Sequence, residues 1–287
     1  MRYGGIEAGG TKFVVAISDE HQRIIKQIRI DTEAPAVTMP KVVEFFQDNP
    51  VSAIGIGCFG PIDIDPQSLN YGYITETPKV GWRNFNFLNV LKQALNVPMY
   101  WTTDVNVAAW GEYCLGAGKS SQHLFYSTVG TGIGGGMINN NQFYQARSHP
   151  ETGHIPVRRY YEDNYKGSCA VHGDCLEGLA AGPAIEARAG VKAKKIASDD
   201  DLWQQEAYYL AQACMTYTLL YAPEKIVLGG GVSNQAQLFP LIRKSFEHQL
   251  KNYVDVPPLE QYIVHAELGD QAGIVGALLL AEKVYNG

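Results

Sequence analysis

No apolar run in the 287-residue sequence approaches the length of a bilayer span, which argues against an integral membrane protein. A basic stripe is also missing. The formal charge is −6 and Lys and Arg are scattered, so no nucleic-acid partner is expected; the densest group, Lys192, Lys194 and Lys195, reads as a solvated face. Cysteines are few and odd in number, five in all, which suits a reducing compartment, and Cys58, Cys114 and Cys214 read as buried apolar fillers. Met1-Arg2-Tyr3-Gly4 leads into a strand and not into the apolar core of a signal peptide, so a cytoplasmic location is expected. What is present is a 46% hydrophobic content and enough length for two domains, each with its own core.

The densest chemistry lies in residues 151–177. Cys169, His172 and Cys175 are separated by two residues on each side, a spacing that lets one tight loop turn three ligands onto one metal ion. His154, in Glu151-Thr152-Gly153-His154, completes a tetrahedral Cys₂His₂ set with no open position, the pattern of a structural zinc site. The alternative is a pair of buried cysteines beside surface histidines. Glu151 and Glu177 flank the proposed ligands, where a metal knot would hold both carboxylates rigidly enough to grip a polyol.

Along the chain, residues 3–7, 12–18 and 24–30 read as three antiparallel strands. The turn Ala8-Gly9-Gly10-Thr11-Lys12 offers free backbone N–H groups, a hydroxyl and a charge to phosphate oxygens, although Gly-Gly is also a plain hairpin turn. A helix is expected near 39–47, then a buried strand over 53–59 that breaks at Gly60-Pro61, where a ligand can approach the backbone. The loop at 77–82 is rich in turn signals and reads as a pocket cover. A helix near 87–95 and a strand over 99–102 lead into Thr103-Asp104-Val105-Asn106. Either Thr103 or Asp104 can cap the next helix; a carboxylate at such a junction is also placed to take a proton from a bound hydroxyl.

Residues 123–145 repeat this opening: strand, Gly/Thr turn (Gly130-Thr131-Gly132), strand, and a turn at 139–141 into a third segment at 142–145. An internal duplication with a phosphate turn in each half is more specific than either turn alone, and implies two lobes facing across a cleft. Gly130-x-Gly132-x-x-Gly135 matches a dinucleotide fingerprint formally, but it continues as a strand instead of opening a helix, which discounts a nicotinamide enzyme. Further on come a helical start with Pro183 in its first turn, an amphipathic helix over 203–221 and a strand at 225–228. Gly229-Gly230-Gly231-Val232-Ser233 then leads to a helix over 238–250; triple glycine there lets a base or ribose lie on bare backbone, and is equally a plain flexible turn. A strand at 262–266 and a helix at 272–285 capped by Asp270 close the chain.

Taken together these segments resemble the ROK family of sugar kinases, within the actin-like ATPase fold, and its bacterial fructokinase branch. Gly9-Gly10-Thr11-Lys12, Thr103-Asp104-Val105-Asn106, Gly130-Thr131-Gly132-Ile133-Gly134, Glu151-x-Gly-His154 and Gly229-Gly230-Gly231-Val232 stand in the family's order across almost the whole chain. The resemblance implies an α/β, ribonuclease H-like fold of two lobes, 1–115 with 270–287 and 116–269. It implies Asp104 as catalytic base, and Asn106, Glu151, His154, Glu177, Gly60 and Pro61 near a hexose. Gly9, Gly10, Thr11, Lys12, Gly130, Thr131, Gly132, Pro183, Gly230, Gly231, Val232 and Ser233 would touch ATP. Mg²⁺ and structural Zn²⁺ would be cofactors, and a homodimer is expected. The family's usual metal motif is Cys-x-Cys-Gly-x-x-Gly-Cys-x-Glu; here it is Cys169-x₂-His172-x₂-Cys175-x-Glu177. Glu7 stands where many members have Asp, and Lys79 where sugar-binding members often have Asn. The altered loop and the Glu-Ala-Gly-Gly-Thr-Lys opening favour fructose over glucose or mannose. The family also includes sugar-responsive repressors, whose N-terminal helix-turn-helix would have no room before a loop that starts by residue 9. A non-catalytic actin-like scaffold would not need the 151–177 cluster.

Overall fold

The computed structural model describes residues 1–144 and 146–287, so residue 145, the end of one expected strand, lies outside the described residues. The chain opens with the expected antiparallel meander, β1 (Arg2–Ala8), β2 (Lys12–Asp19) and β3 (Ile24–Asp31). On β2, Phe13, Val15 and Ile17 join one core while Val14 and Ala16 meet Ile274 and Leu278, so the sheet is covered on both faces. Helix α1 (Pro35–Asp48) starts four residues before the expected 39, because Pro35 sits in its first turn, where a missing N–H leaves no bond unmade. β4 (Ala53–Cys58) is buried throughout and runs parallel to β1. A short hairpin of β5 (Tyr73–Ile74) and β6 (Phe85–Asn86) follows, then α2 (Phe87–Ala94), β7 (Met99–Thr103) and α3 (Asp104–Leu115). The first sheet has the order β3-β2-β1-β4-β7.

The second half begins again with a meander, β8 (His123–Val129), β9 (Ile133–Asn139) and β10 (Gln142–Phe143). It continues through α4 (Leu176–Ala180), α5 (Gly182–Ala189), α6 (Leu202–Tyr221), β11 (Lys225–Gly229), α7 (Leu238–Leu250), α8 (Leu259–Tyr262) and β12 (Ile263–His265). Its sheet order, β10-β9-β8-β11-β12, repeats that of the first sheet, so the duplication read from the sequence is present in the fold. The last helix, α9 (Ala272–Asn286), returns to pack on β1, β4 and α3. It approaches so closely that a Cβ at Gly55 would overlap the Ala277 carbonyl, and one at Gly276 the Val107 carbonyl.

Two compact units result: Met1–Leu115, Tyr144–His149 and Asp270–Gly287 in one, Gly116–Phe143 and Pro150–Gly269 in the other. Residues 144–149 therefore go with the first unit, where the Ile62 N–H donates to His149 Nε2 at 3.3 Å.

Several local expectations are corrected. Asp270 does not cap α9: a 3₁₀ turn, Gly269–Gln271, precedes the helix, and Gln271 occupies the cap without a side-chain bond. The helix over 203–221 is not amphipathic in the usual sense. As α6 it runs through the middle of the second core, with Trp203, Tyr209, Leu210 and Tyr217 buried alongside Glu206 and Gln212. The strand expected at 262–266 shortens to Ile263–His265 because Leu259–Tyr262 is helical. In the loop at 77–82, Trp82 is the end that plugs the core: it is 2% exposed, packs against Phe13, Phe59, Phe85 and Phe87, and donates Nε1–H to the Glu33 carbonyl at 2.8 Å. Among the described residues no helix is long and apolar enough to cross a membrane.

Candidate active site

In the first unit, Thr103 ends β7 and its Oγ1 accepts the Asn106 N–H at 3.1 Å, so Thr103 is the cap of α3. Asp104 is left with a carboxyl whose Oδ1 takes the Val105 N–H at 2.9 Å. Burial raises its pKa to about 6, against the opposing pull of backbone N–H groups. Asn106, one turn on, is buried and donates Nδ2–H to Thr102 Oγ1 at 2.8 Å, which fixes its amide.

A second carboxyl stands beside Asp104. Glu7 on β1 pairs in register with Gly57 of β4, and its carboxyl fills space that a Cβ on Gly273 would occupy. Burial first, and then the charge of Asp104, push the Glu7 pKa up to about 7, with Lys12 pulling the other way.

The first Gly-Gly turn lies at the end of the same strand. The Gly9 N–H donates to the Lys12 carbonyl at 3.0 Å, and Thr32 Oγ1 donates to the Gly9 carbonyl at 2.8 Å, which holds the turn to β3. Thr11 and Lys12 are exposed. Lys79 lays its Cε 3.3 Å from where a Gly10 Cβ would stand, so a second cation covers this turn; its role was not evident because the two residues are distant in sequence. Gly60 and Pro61 are joined by a cis peptide bond at the end of β4, beside His149, whose pKa burial lowers.

In the second unit, the turn Gly130–Gly132 joins β8 to β9 and is closed by Gly130 N–H to the Gly132 carbonyl at 2.9 Å. Gly182 at the start of α5 donates to the Gly130 carbonyl at 2.7 Å, and Val232 donates to the Val129 carbonyl at 2.9 Å. Gly230 has φ +86°, and a Cβ there would press on the Val129 carbonyl at 2.5 Å, so this turn requires glycine. These elements enclose a cavity of about 500 Å³ that brings together Gly130, Thr131, Pro183, Gly231 and Val232. Gly132, Gly230 and Ser233 are not among its lining residues. Glu186, Lys192 and Lys194 do line it; the sequence reading had left the two lysines to solvent, since a charge run carries no signal of what it folds over. A larger cavity of about 810 Å³, between α7 and residues 252–260, contains none of the residues to which the motifs point.

The metal-ligand candidates meet. The donor atoms of His154, Cys169, His172 and Cys175 lie within 4.8 Å of one another. His154 Nδ1 stands 3.7 Å from Cys169 Sγ and 3.6 Å from Cys175 Sγ, and His172 Nδ1 3.9 Å from Cys169 Sγ. A tetrahedral zinc with ordinary bond lengths separates N and S ligands by about 3.5 Å, so the donor set fits the ion in type and in spacing. Glu151 is exposed, one 3₁₀ turn before His154, whose N–H donates to the Glu151 carbonyl at 3.1 Å. Glu177 Oε2 accepts the Ile133 N–H at 3.0 Å, at the exit of the second Gly/Thr turn.

A duplicated sheet of this order, with a glycine turn after the first strand of each copy, is the actin-like ATPase fold of sugar kinases. The chain belongs to the ROK family, whose sequence model matches residues 3–284. It is 50% identical over 282 residues to a fructokinase of Pediococcus pentosaceus, covering 98% of each chain. It is 51% identical to a fructokinase of Lactococcus lactis subsp. cremoris, covering 91% of this chain and 90% of that one. Among solved structures it resembles a ROK hexokinase from Thermus thermophilus, with a TM-score of 0.82, 27% identity and 100% of each chain covered.

Proposed function

We propose that this protein is a fructokinase that transfers the γ-phosphoryl group of ATP to the 6-OH of D-fructose. The observation that carries the reading is Asp104: a carboxyl at a strand-to-helix junction, released from capping by Thr103, in a chain half identical to fructokinases. Phosphoryl transfer asks little covalent chemistry of a protein, so catalysis is positioning and charge stabilisation. Asp104, ionised at neutral pH, orients the sugar hydroxyl and takes its proton. Asn106, Glu151, His154, Gly60, Pro61 and the second oxygen of Glu177 hold the sugar. Thr131, Pro183 and Gly230–Ser233 hold the nucleoside, with Gly9–Lys12 and Gly130–Gly132 on its phosphates.

Mg²⁺ bound with ATP supplies neutralisation of the triphosphate charge. Oxygen donors suited to it stand by the first turn: Glu7 Oε2 is buried without a hydrogen-bond partner among the described residues, and the Asp270 charge is felt at the same carboxyl. Zn²⁺ would be held by His154, Cys169, His172 and Cys175, and four protein donors would leave no ligand position for substrate, so its part would be structural. With Nδ1 of His154 turned to the sulfurs, Nε2 is the nitrogen left for a sugar hydroxyl. A cytoplasmic homodimer is the expected state, and sedimentation analysis tests the dimer.

The discriminating experiment is sugar-dependent ADP release measured over fructose, glucose, mannose and N-acetylated hexoses. Fructose is expected to give the highest kcat/KM. Glucose or mannose in first place would move the chain to a sister activity, and no sugar-dependent ADP release would end the kinase reading.

A further inference from the structure

The second phosphate turn is bracketed at one residue by both arms of the metal loop. From one side Glu177, two residues after the ligand Cys175, accepts the Ile133 N–H at 3.0 Å, and its Oε2 lies 2.6 Å from where a Cβ on Gly132 would stand. From the other side Gly153, one residue before the ligand His154, lies so close to the Ile133 carbonyl that any side chain there would overlap it. The two arms are themselves tied together: the Leu176 N–H donates to the Ile155 carbonyl at 3.0 Å, and Pro156 bridges Cys175. Ile133 is thus held through its N–H by Glu177 and closely packed at its carbonyl by Gly153, on a loop that also carries the four candidate metal ligands.

The geometry points to Glu177 as a positioning residue for the nucleotide: its carboxylate holds the Gly130–Gly132 turn in the form that receives the phosphates, so the metal loop tunes ATP affinity as well as sugar binding. The inference rests on the kinase reading above. It differs from a plain sugar contact in what it predicts. A hydrogen bond from a half-buried N–H to a charged acceptor contributes enough to change affinity by about tenfold or more when it is lost. Gln retains an acceptor oxygen of the same reach; Ala does not. The turn should therefore follow the presence of an acceptor and not the charge.

The test uses the metal-loaded protein, with zinc content measured in each variant. Binding of Mg²⁺ with a non-hydrolysable ATP analogue is followed by calorimetry, and exchange of the Ile133 amide hydrogen by NMR. Glu177→Ala should weaken nucleotide binding by about tenfold or more, more than it weakens fructose binding, and speed exchange at Ile133. Glu177→Gln should restore both to near the wild-type values. The clamp is overturned if Glu177→Ala binds nucleotide as tightly as wild type, if its loss falls on fructose alone, or if Glu177→Gln is as poor as Glu177→Ala. Wild-type protein that binds no nucleotide would instead sink the kinase reading, and this inference with it.

Discussion

Replacing Asp104 by Asn should make the protein slower and more stable at once. Asn keeps the shape and the acceptor for the Val105 N–H but takes no proton from a sugar hydroxyl, so turnover should fall by ~10²–10⁴-fold with sugar affinity nearly intact. The stability gain follows from burial. The Asp104 pKa is raised from 3.8 to about 6 in the folded protein, so the native state holds its proton where the unfolded chain has released it. Stability contributed by that proton is present below pH 3.8 and is lost as pH rises to about 6. At 1.36 kcal/mol per pKa unit the full loss is about 3 kcal/mol, and solvent at a half-buried residue brings the expected range to ~1–3 kcal/mol. Asn carries no such penalty. Urea denaturation at pH 8 should therefore show Asp104→Asn more stable than wild type, with the difference gone at pH 3.5, while wild-type kcat falls tenfold per pH unit below about 6. A variant that is less stable than wild type at pH 8, or that turns over at the wild-type rate, would refute the assignment.

Glu7→Gln should behave likewise for stability: the Glu7 pKa rises from 4.5 to about 7, so the variant's advantage in urea should grow from pH 5 to pH 8. Its kcat profile should keep the acid limb set by Asp104 near the wild-type position, because Glu7 is largely protonated where Asp104 ionises; loss of the limb would remove Asp104 as the base. Gly55→Ala should lower stability by ~1–3 kcal/mol or more, read as a drop in urea midpoint, since its Cβ would overlap the Ala277 carbonyl of α9. An unchanged midpoint would contradict the close packing of that helix on β4. Elemental analysis should find one zinc per chain, and Cys175→Ala should lose the metal and lower Tm; a metal-free wild-type protein with the same Tm would remove zinc from the account.

What the sequence reveals is mostly local. Glycine turns, the alternation of Phe13, Val15 and Ile17, and the Cys169-His172-Cys175 spacing each encode their geometry within a few residues, so the two meanders, their repetition and the ligand cluster were legible. What escaped reading depends on contacts between distant segments. Glu7 meets Gly273 from the last helix, Lys79 reaches Gly10, and Lys194 lines the cavity beside Gly130 and Val232; no short-range pattern announces any of these. Asp270 has the composition of a cap, yet a 3₁₀ turn takes the position it was expected to fill. Helix α6, expected to be amphipathic, carries the polar residues Glu206 and Gln212 into the core. There Gln212 exchanges hydrogen bonds with the backbone of Arg158, and burial raises the Glu206 pKa well above the usual carboxylate range.

The most direct measurement is of where the phosphorus goes. Fructose and ATP with Mg²⁺ are incubated with wild-type protein and with Asp104→Asn, and the product is read by phosphorus–proton correlation NMR. Wild type should show the new phosphate on the 6-oxygen of fructose, with the signal nearly absent for the variant. Phosphate on another hydroxyl, no phosphorylated sugar at all, or equal product from the variant would contradict a kinase in which Asp104 activates that hydroxyl.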